Sequence, residues 1–123
     1  QDDIDESKMV GFACFYEGRE TKVVTKVGRL LKQKKYSKIK DLLRSQNTAE
    51  QYLAVICIER LNAIEKVTIT NDEKLLIDQI RSSSELVATC SGCFPHPGAA
   101  LKDVFNSEIL WSAPLWLDRH LKQ

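Results

Sequence analysis

The chain has 123 residues, of which 43% are apolar and 28% charged, and its formal net charge is +1. That length makes one domain with a core of its own, and a near-neutral balance gives bulk charge no part in attracting nucleic acid or a membrane. No apolar run approaches the roughly 20 residues a membrane span requires, and glycine and proline are too sparse for a collagenous or low-complexity chain.

In chain order, residues 1–8 carry four acids (Asp2, Asp3, Asp5 and Glu6) and read as a flexible acidic tail. Residues 9–123 read as a single helical domain. Met9 to Tyr16 is a short apolar run, too brief for periodicity to choose between an extended segment and a helical turn. Thr21 to Gln33 predicts a helix: Val23, Val24, Val27, Leu30 and Leu31 form one apolar stripe, and Lys22, Lys26 and Arg29 take the other face. Gly28 interrupts it at a cost of about 1 kcal/mol against Ala, unless close packing needs the space. Tyr36 to Arg44 predicts a second, shorter helix.

Tyr52 to Ile58 contains no charged or strongly polar residue. On a helix those residues cover almost two turns, so this third helix, capped by Asn47 or Thr48 and running to about Lys66, should be surrounded by other elements. Val67 to Thr70 is β-branched but reads as a linker, since no second strand-like run is evident to pair with it. Asn71 or Asp72 caps a fourth helix with Leu75, Leu76, Ile77 and Ile80 apolar. The stretch 90–98 then holds two prolines and two glycines and reads as a loop. Ala99 to Phe105 and Leu115 to Leu121 are short helix candidates, and both tryptophans, Trp111 and Trp116, lie in this last part. Aromatic surface of that size predicts a C-terminus docked on the core.

Successive amphipathic helices on short turns stack as antiparallel hairpins. Within them the order Ile39-x-x-Leu42-Leu43-x-Ser45-x-Asn47-x-x-x-Gln51-x-Leu53-Ala54-Val55-x-x-Ile58-x-x-Leu61 resembles one HEAT-type helical repeat over about 30 residues. Thr48 and Gln51 stand where that family often has Pro and Arg. The resemblance implies a scaffold that binds protein, or less often nucleic acid, and no catalytic residues. The expected fold is therefore all-α, with helical hairpins stacked as a compact HEAT-like, α-solenoid-type domain.

Three constellations bear on chemistry. Cys90-x-x-Cys93-x-x-His96 has the spacing to grip a tetrahedral zinc ion, with Cys14 or His120 as a fourth ligand, but the second ligand pair of a well-supported site is missing. The same cysteines can form a redox dithiol. The plainer alternative is a structural disulfide among Cys90, Cys93 and Cys14, with Cys57 a buried free thiol in the apolar helix. Residues 19–44 hold ten Lys or Arg against two acids, a net of +8, which leaves −7 on the rest. Lys22, Lys26, Arg29, Lys34, Lys35 and Lys38 are the candidate interaction surface on that hairpin. A phosphate-tracking role is the lesser reading, because an amphipathic helix needs a polar face in any case. Asp118 and His120 lie about 200° apart on a helix, so they form no catalytic dyad.

The resulting expectation is a non-catalytic protein–protein interaction or scaffolding domain with an unidentified protein partner and no resident cofactor. A metal or thiol protein using Cys90, Cys93 and His96 is the first alternative, and nucleic-acid binding the second. The start at Gln1, with no apolar leader, and the cysteine arrangement suit an exported protein, periplasmic or secreted.

Overall fold

A computed structural model describes residues 5–15, 17–91, 94–107 and 110–121. The elements run β1 (Met9–Val10), α1 (Lys22–Lys32), α2 (Tyr36–Asp41) with a 3-10 turn (Leu42–Arg44), α3 (Thr48–Ala63) and α4 (Asn71–Arg81). They continue with β2 (Leu86–Ser91), β3 (Phe94–Ala100), α5 (Leu101–Phe105) and α6 (Ala113–Leu121). No helix among the described residues is long and apolar enough to cross a membrane.

The all-α expectation is overturned, and the stacked HEAT-like, α-solenoid-type arrangement with it. The described residues contain a three-stranded mixed sheet in the order β1-β2-β3, so the fold is mixed α and β. β1 pairs parallel with β2 through Met9–Ala88 and Val10–Thr89. β2 pairs antiparallel with β3 through Leu86–Ala100, Thr89–His96 and Cys90–Pro95, with a bulge between Val87 and Thr89. The stretch read as a proline-broken loop is thus largely strand. Pro95 and Pro97 lack the N–H of an inner ladder, but β3 is an outer strand, where that loss is tolerated and the edge is blunted against foreign strands.

The central helix is as expected, with a different set of neighbours. Leu53, Ala54, Val55, Cys57, Ile58 and Leu61 of α3 are all fully buried. α1, α2, α4 and the strands β1 and β2 surround it, so one side of the jacket is sheet rather than helix. Its N-terminus is held by Asn47, whose side-chain oxygen accepts from the Ala49 and Glu50 amides at 2.9 and 3.4 Å. The Thr48 hydroxyl donates to the Leu86 carbonyl at 2.8 Å and fastens this end to β2.

Val67 to Ile69 connects α3 to α4 without regular structure, as read. The cap falls one residue earlier than expected. Thr70 and Glu73 form a reciprocal capping box, with Glu73 accepting from the Thr70 amide at 2.9 Å and Thr70 accepting from the Glu73 amide at 3.2 Å.

Residues 5–8, expected as tail, are tied to the domain, while 1–4 lie outside the described residues. Glu6 makes a two-pronged ion pair with Arg19 at 2.7 and 2.8 Å, and its carbonyl accepts from the Val23 amide at 3.1 Å. The Ser7 carbonyl accepts from the Asn47 amide nitrogen Nδ2 at 2.7 Å.

Candidate functional site

α6 packs against α1, and it leaves a groove on its other side toward α3. The floor is set by the helical period: Tyr52, Ile56 and Arg60 of α3, with Ile64 at its C-terminal cap, recur every four residues and line one face. The opposite wall comes from α6 and the segment before it, with Trp111, Pro114, Leu115, Leu117 and Leu121. Arg60 and Asp118 bridge the two walls through a 2.7 Å ion pair.

One end of the groove is a cavity of about 450 Å³ bounded by Tyr52, Phe105 and Trp111, with Arg81 and Leu117 among its other walls. Its back is rigid: the Tyr52 and Phe105 rings lie 4.9 Å apart, and the Arg81 guanidinium sits 4.7 Å over the Phe105 ring while paired with Glu59. The Tyr52 hydroxyl is pushed above its ordinary value by burial, so it stays a neutral hydrogen-bonding group. A second cavity, of about 690 Å³, follows along α3 between Arg60, Ile64 and Leu115. A cleft of about 220 Å³ shares Ile64 and Leu121 with it and is edged by Lys32, Lys34, Lys66 and His120.

Two large apolar side chains stand on this wall in solvent, Trp111 at 65% exposure and Leu115 at 57%. Trp116, on the same helix, is 0% exposed: its Nε1–H donates to Glu20 at 3.1 Å and its ring meets Phe12 at 5.2 Å. The two tryptophans therefore divide the work. Trp116 docks α6 on α1, and Trp111 is left outward over the groove.

The predicted sites are placed as follows. Cys90 lies within disulfide distance of Cys14, and their Cα atoms are 5.9 Å apart, a separation a disulfide spans. A bonded Cys90 has no thiolate for a metal or a redox dithiol. Cys93 lies outside the described residues. His96 is exposed on β3, and His120 packs on Trp116 with ring centres 4.9 Å apart. Among the described residues no group of three or more His, Cys, Asp or Glu is arranged to hold a metal ion. Cys57 is a buried free thiol whose pKa burial pushes up, so it is unreactive packing.

The cysteine bridge has a fitted seat. A Cβ at Gly11 would run into the Cys14 sulfur and lie 3.1 Å from Cys90 Cβ, so only glycine leaves room there. Thr21, fully buried, accepts from the Gly11 amide at 3.2 Å and donates to its carbonyl at 3.3 Å.

The six candidate cations of the basic hairpin have different surroundings. Lys26 is engaged with Glu50 at 2.6 Å, whereas Lys22 and Arg29 flank a shallow depression beside Arg19 and Glu20. Lys35 and Lys38 are exposed, and Lys34 alone of the six reaches the cleft that continues the groove. The groove itself was not anticipated. The signal was present in Tyr52, Ile56, Arg60 and Ile64, a stripe of α3 that no core would need to make cationic at one position.

No protein-family model matches this chain, and no curated protein or solved structure matches it significantly.

Proposed function

We propose that this domain is a non-catalytic interaction module that docks a segment of another protein along the groove between α3 and α6. The observation that carries the reading is the outward placement of Trp111 and Leu115 beside a concave, mostly apolar channel. Burying two such side chains in water-free contact contributes about 1.5–3 kcal/mol each, and aromatic residues over pockets are the usual anchors of protein interfaces. Export fits this reading: the Cys14–Cys90 pair is compatible with an oxidising compartment, where a domain of this size benefits from a covalent tie.

A photoreactive residue placed at Leu115, with a second at Thr25 on α1 as control, tests the reading in cells of the source organism. The adduct formed through position 115 is identified and the partner purified. Leu115→Glu is expected to weaken its binding about tenfold or more without lowering the Tm of the domain. Equal adducts from positions 115 and 25, or unchanged binding by the variant, would reject the groove as the docking site.

A further inference from the structure

The charge around the groove identifies its occupant more closely, on the premise that the groove docks protein. Six cations line its three cavities, Arg60, Arg81, Arg119, Lys32, Lys34 and Lys66, against one carboxylate, Asp118. Arg60 and Arg81 are engaged with Asp118 and Glu59. Arg119, Lys32, Lys34 and Lys66 form no ion pair among the described residues. The uncommitted charge is therefore positive and concentrated toward the Ile64 end, while the aromatic pocket lies at the Tyr52 end. A matching ligand is apolar at one end and along one face, and acidic at the other.

The two long walls, α3 and α6, are helices whose backbone amides and carbonyls are already bonded within the helix, while the turn around Leu110 and Trp111 at the pocket end is not helical. An extended peptide laid between them finds no ladder and leaves its own backbone groups to water or unpaired. A helical ligand brings its backbone bonds with it and packs side chains into the ridges of α3 and α6. The floor from Tyr52 to Ile64 rises about 18 Å, the length of about three helical turns. A second copy of this chain is a poor occupant, because a two-fold contact would set this cationic groove against itself.

We infer that the groove receives an acidic amphipathic helix of a partner protein, with one bulky apolar side chain in the pocket between Tyr52, Phe105 and Trp111, and with its carboxylates facing Arg119, Lys32 and Lys66.

The test is selection from a displayed library of helical peptides of about 14 residues, panned on the intact protein and counter-selected on its Leu115→Glu variant. Enriched peptides are then synthesised, and their affinity is read from Trp111 emission and by calorimetry. Expected are sequences with an aromatic or Leu anchor repeating at helical spacing and Asp or Glu on the flanks. Trp111→Ala is expected to weaken them about tenfold or more, and Lys32→Glu combined with Lys66→Glu to weaken them with a reduced salt dependence. Groove-dependent binders that are basic, neutral or proline-rich overturn this inference and leave the docking reading standing. No groove-dependent binder at all overturns both. Sedimentation showing a dimer that Leu115→Glu dissociates assigns the groove to a second copy and overturns the inference as well.

Discussion

Gly28 on α1 faces His120 on α6 so closely that a Cβ at position 28 would lie 3.0 Å from His120 Cε1 and 3.4 Å from Trp116 Cζ2. On one side the imidazole is backed by the Trp116 ring, 4.9 Å away and itself held by Phe12 and Glu20, so it can yield only toward the cleft it edges. A glycine in a helix interior costs about 1 kcal/mol against alanine, and here that cost is offset by the approach of α6. Overpacking costs about 1–3 kcal/mol, so Gly28→Ala is expected to destabilise by about 1 kcal/mol despite better helix propensity. In a His120→Ala background the same substitution is expected to stabilise by a similar amount. Urea unfolding of the four proteins in the cycle reads the coupling, and additive effects would show that the two helices do not meet there.

A disulfide between Cys14 and Cys90, which lie within disulfide distance, closes a loop with a sequence separation of 76. In the chain-entropy account a loop of that length contributes about 4 kcal/mol. Reduction, or Cys14→Ser with Cys90→Ser, is expected to lower stability by about that much and to loosen β1 from β2. Alkylation in denaturant without reductant should label Cys57 and leave Cys14 and Cys90 unlabelled until reductant is added. Gly11→Ala is expected to destabilise by about 2 kcal/mol or more, because the added methyl takes the sulfur's place.

Acid should destabilise this protein over two pH windows of different origin. Burial, only partly countered by Glu20, holds His120 below its ordinary 6.5, and Arg119 and Lys32 push the same way. Glu6 is held below 4.5 by the Arg19 guanidinium. The Thr70 amide, then Lys40, does the same for Glu73. Burial pushes Glu50 up, but the Lys26 ammonium and the Ser45 hydroxyl together bring it below 4.5. Each of these groups binds its proton less readily folded than unfolded, so unfolding takes up protons and stability rises with pH. The His120 contribution is complete above 6.5 and is lost as pH falls through its lowered folded value. The carboxylate contribution is complete above 4.5 and is lost as pH falls through the lower folded values. Tm measured against pH should show both descents, with His120→Gln removing the upper one. A Tm that rises on acidification in either window contradicts these placements.

The Arg60–Asp118 bridge across the groove is a surface pair, with side-chain exposures of 29% and 64%. Exposed pairs of this kind contribute about 0–1 kcal/mol. Asp118→Asn is therefore expected to leave the Tm almost unchanged while releasing the Arg60 guanidinium into the groove. Affinity for an acidic helical ligand should then rise by about two- to fivefold, and calorimetry with the peptides selected above checks it. A loss of affinity would mean that the carboxylate takes part in holding the ligand.

The local elements were legible in the chain because each rests on a short-range rule. The stripe Val23, Val24, Val27 and Leu31 turned inward on α1 as its spacing requires. The run Tyr52 to Ile58 is buried nearly all round because no face of it carries a charge. Cys57 is a buried thiol for the same reason. The docked C-terminus followed from the size of Trp116, which is fully buried.

The sheet was not legible, and its parts show why. β1 has two residues, β3 carries prolines at 95 and 97, and β2 is bulged after Val87, so none shows an uninterrupted alternation. β1 reaches β2 only across α1 to α4, a pairing between positions 9 and 88 that no local pattern encodes. The partner of Cys90 was open among the cysteines until that pairing set Cys14 beside it. The groove has the same origin: Gly28 admits His120 and lets α6 lie on α1, and that placement leaves Ile56, Arg60 and Ile64 half-buried beside the groove, with Tyr52 at its buried end. The sequence alone determined which residues each helix buries, since periodicity acts within one element. Tertiary structure alone decided which elements meet, and so which apolar side chains remain facing water, because that depends on contacts between residues far apart in the chain.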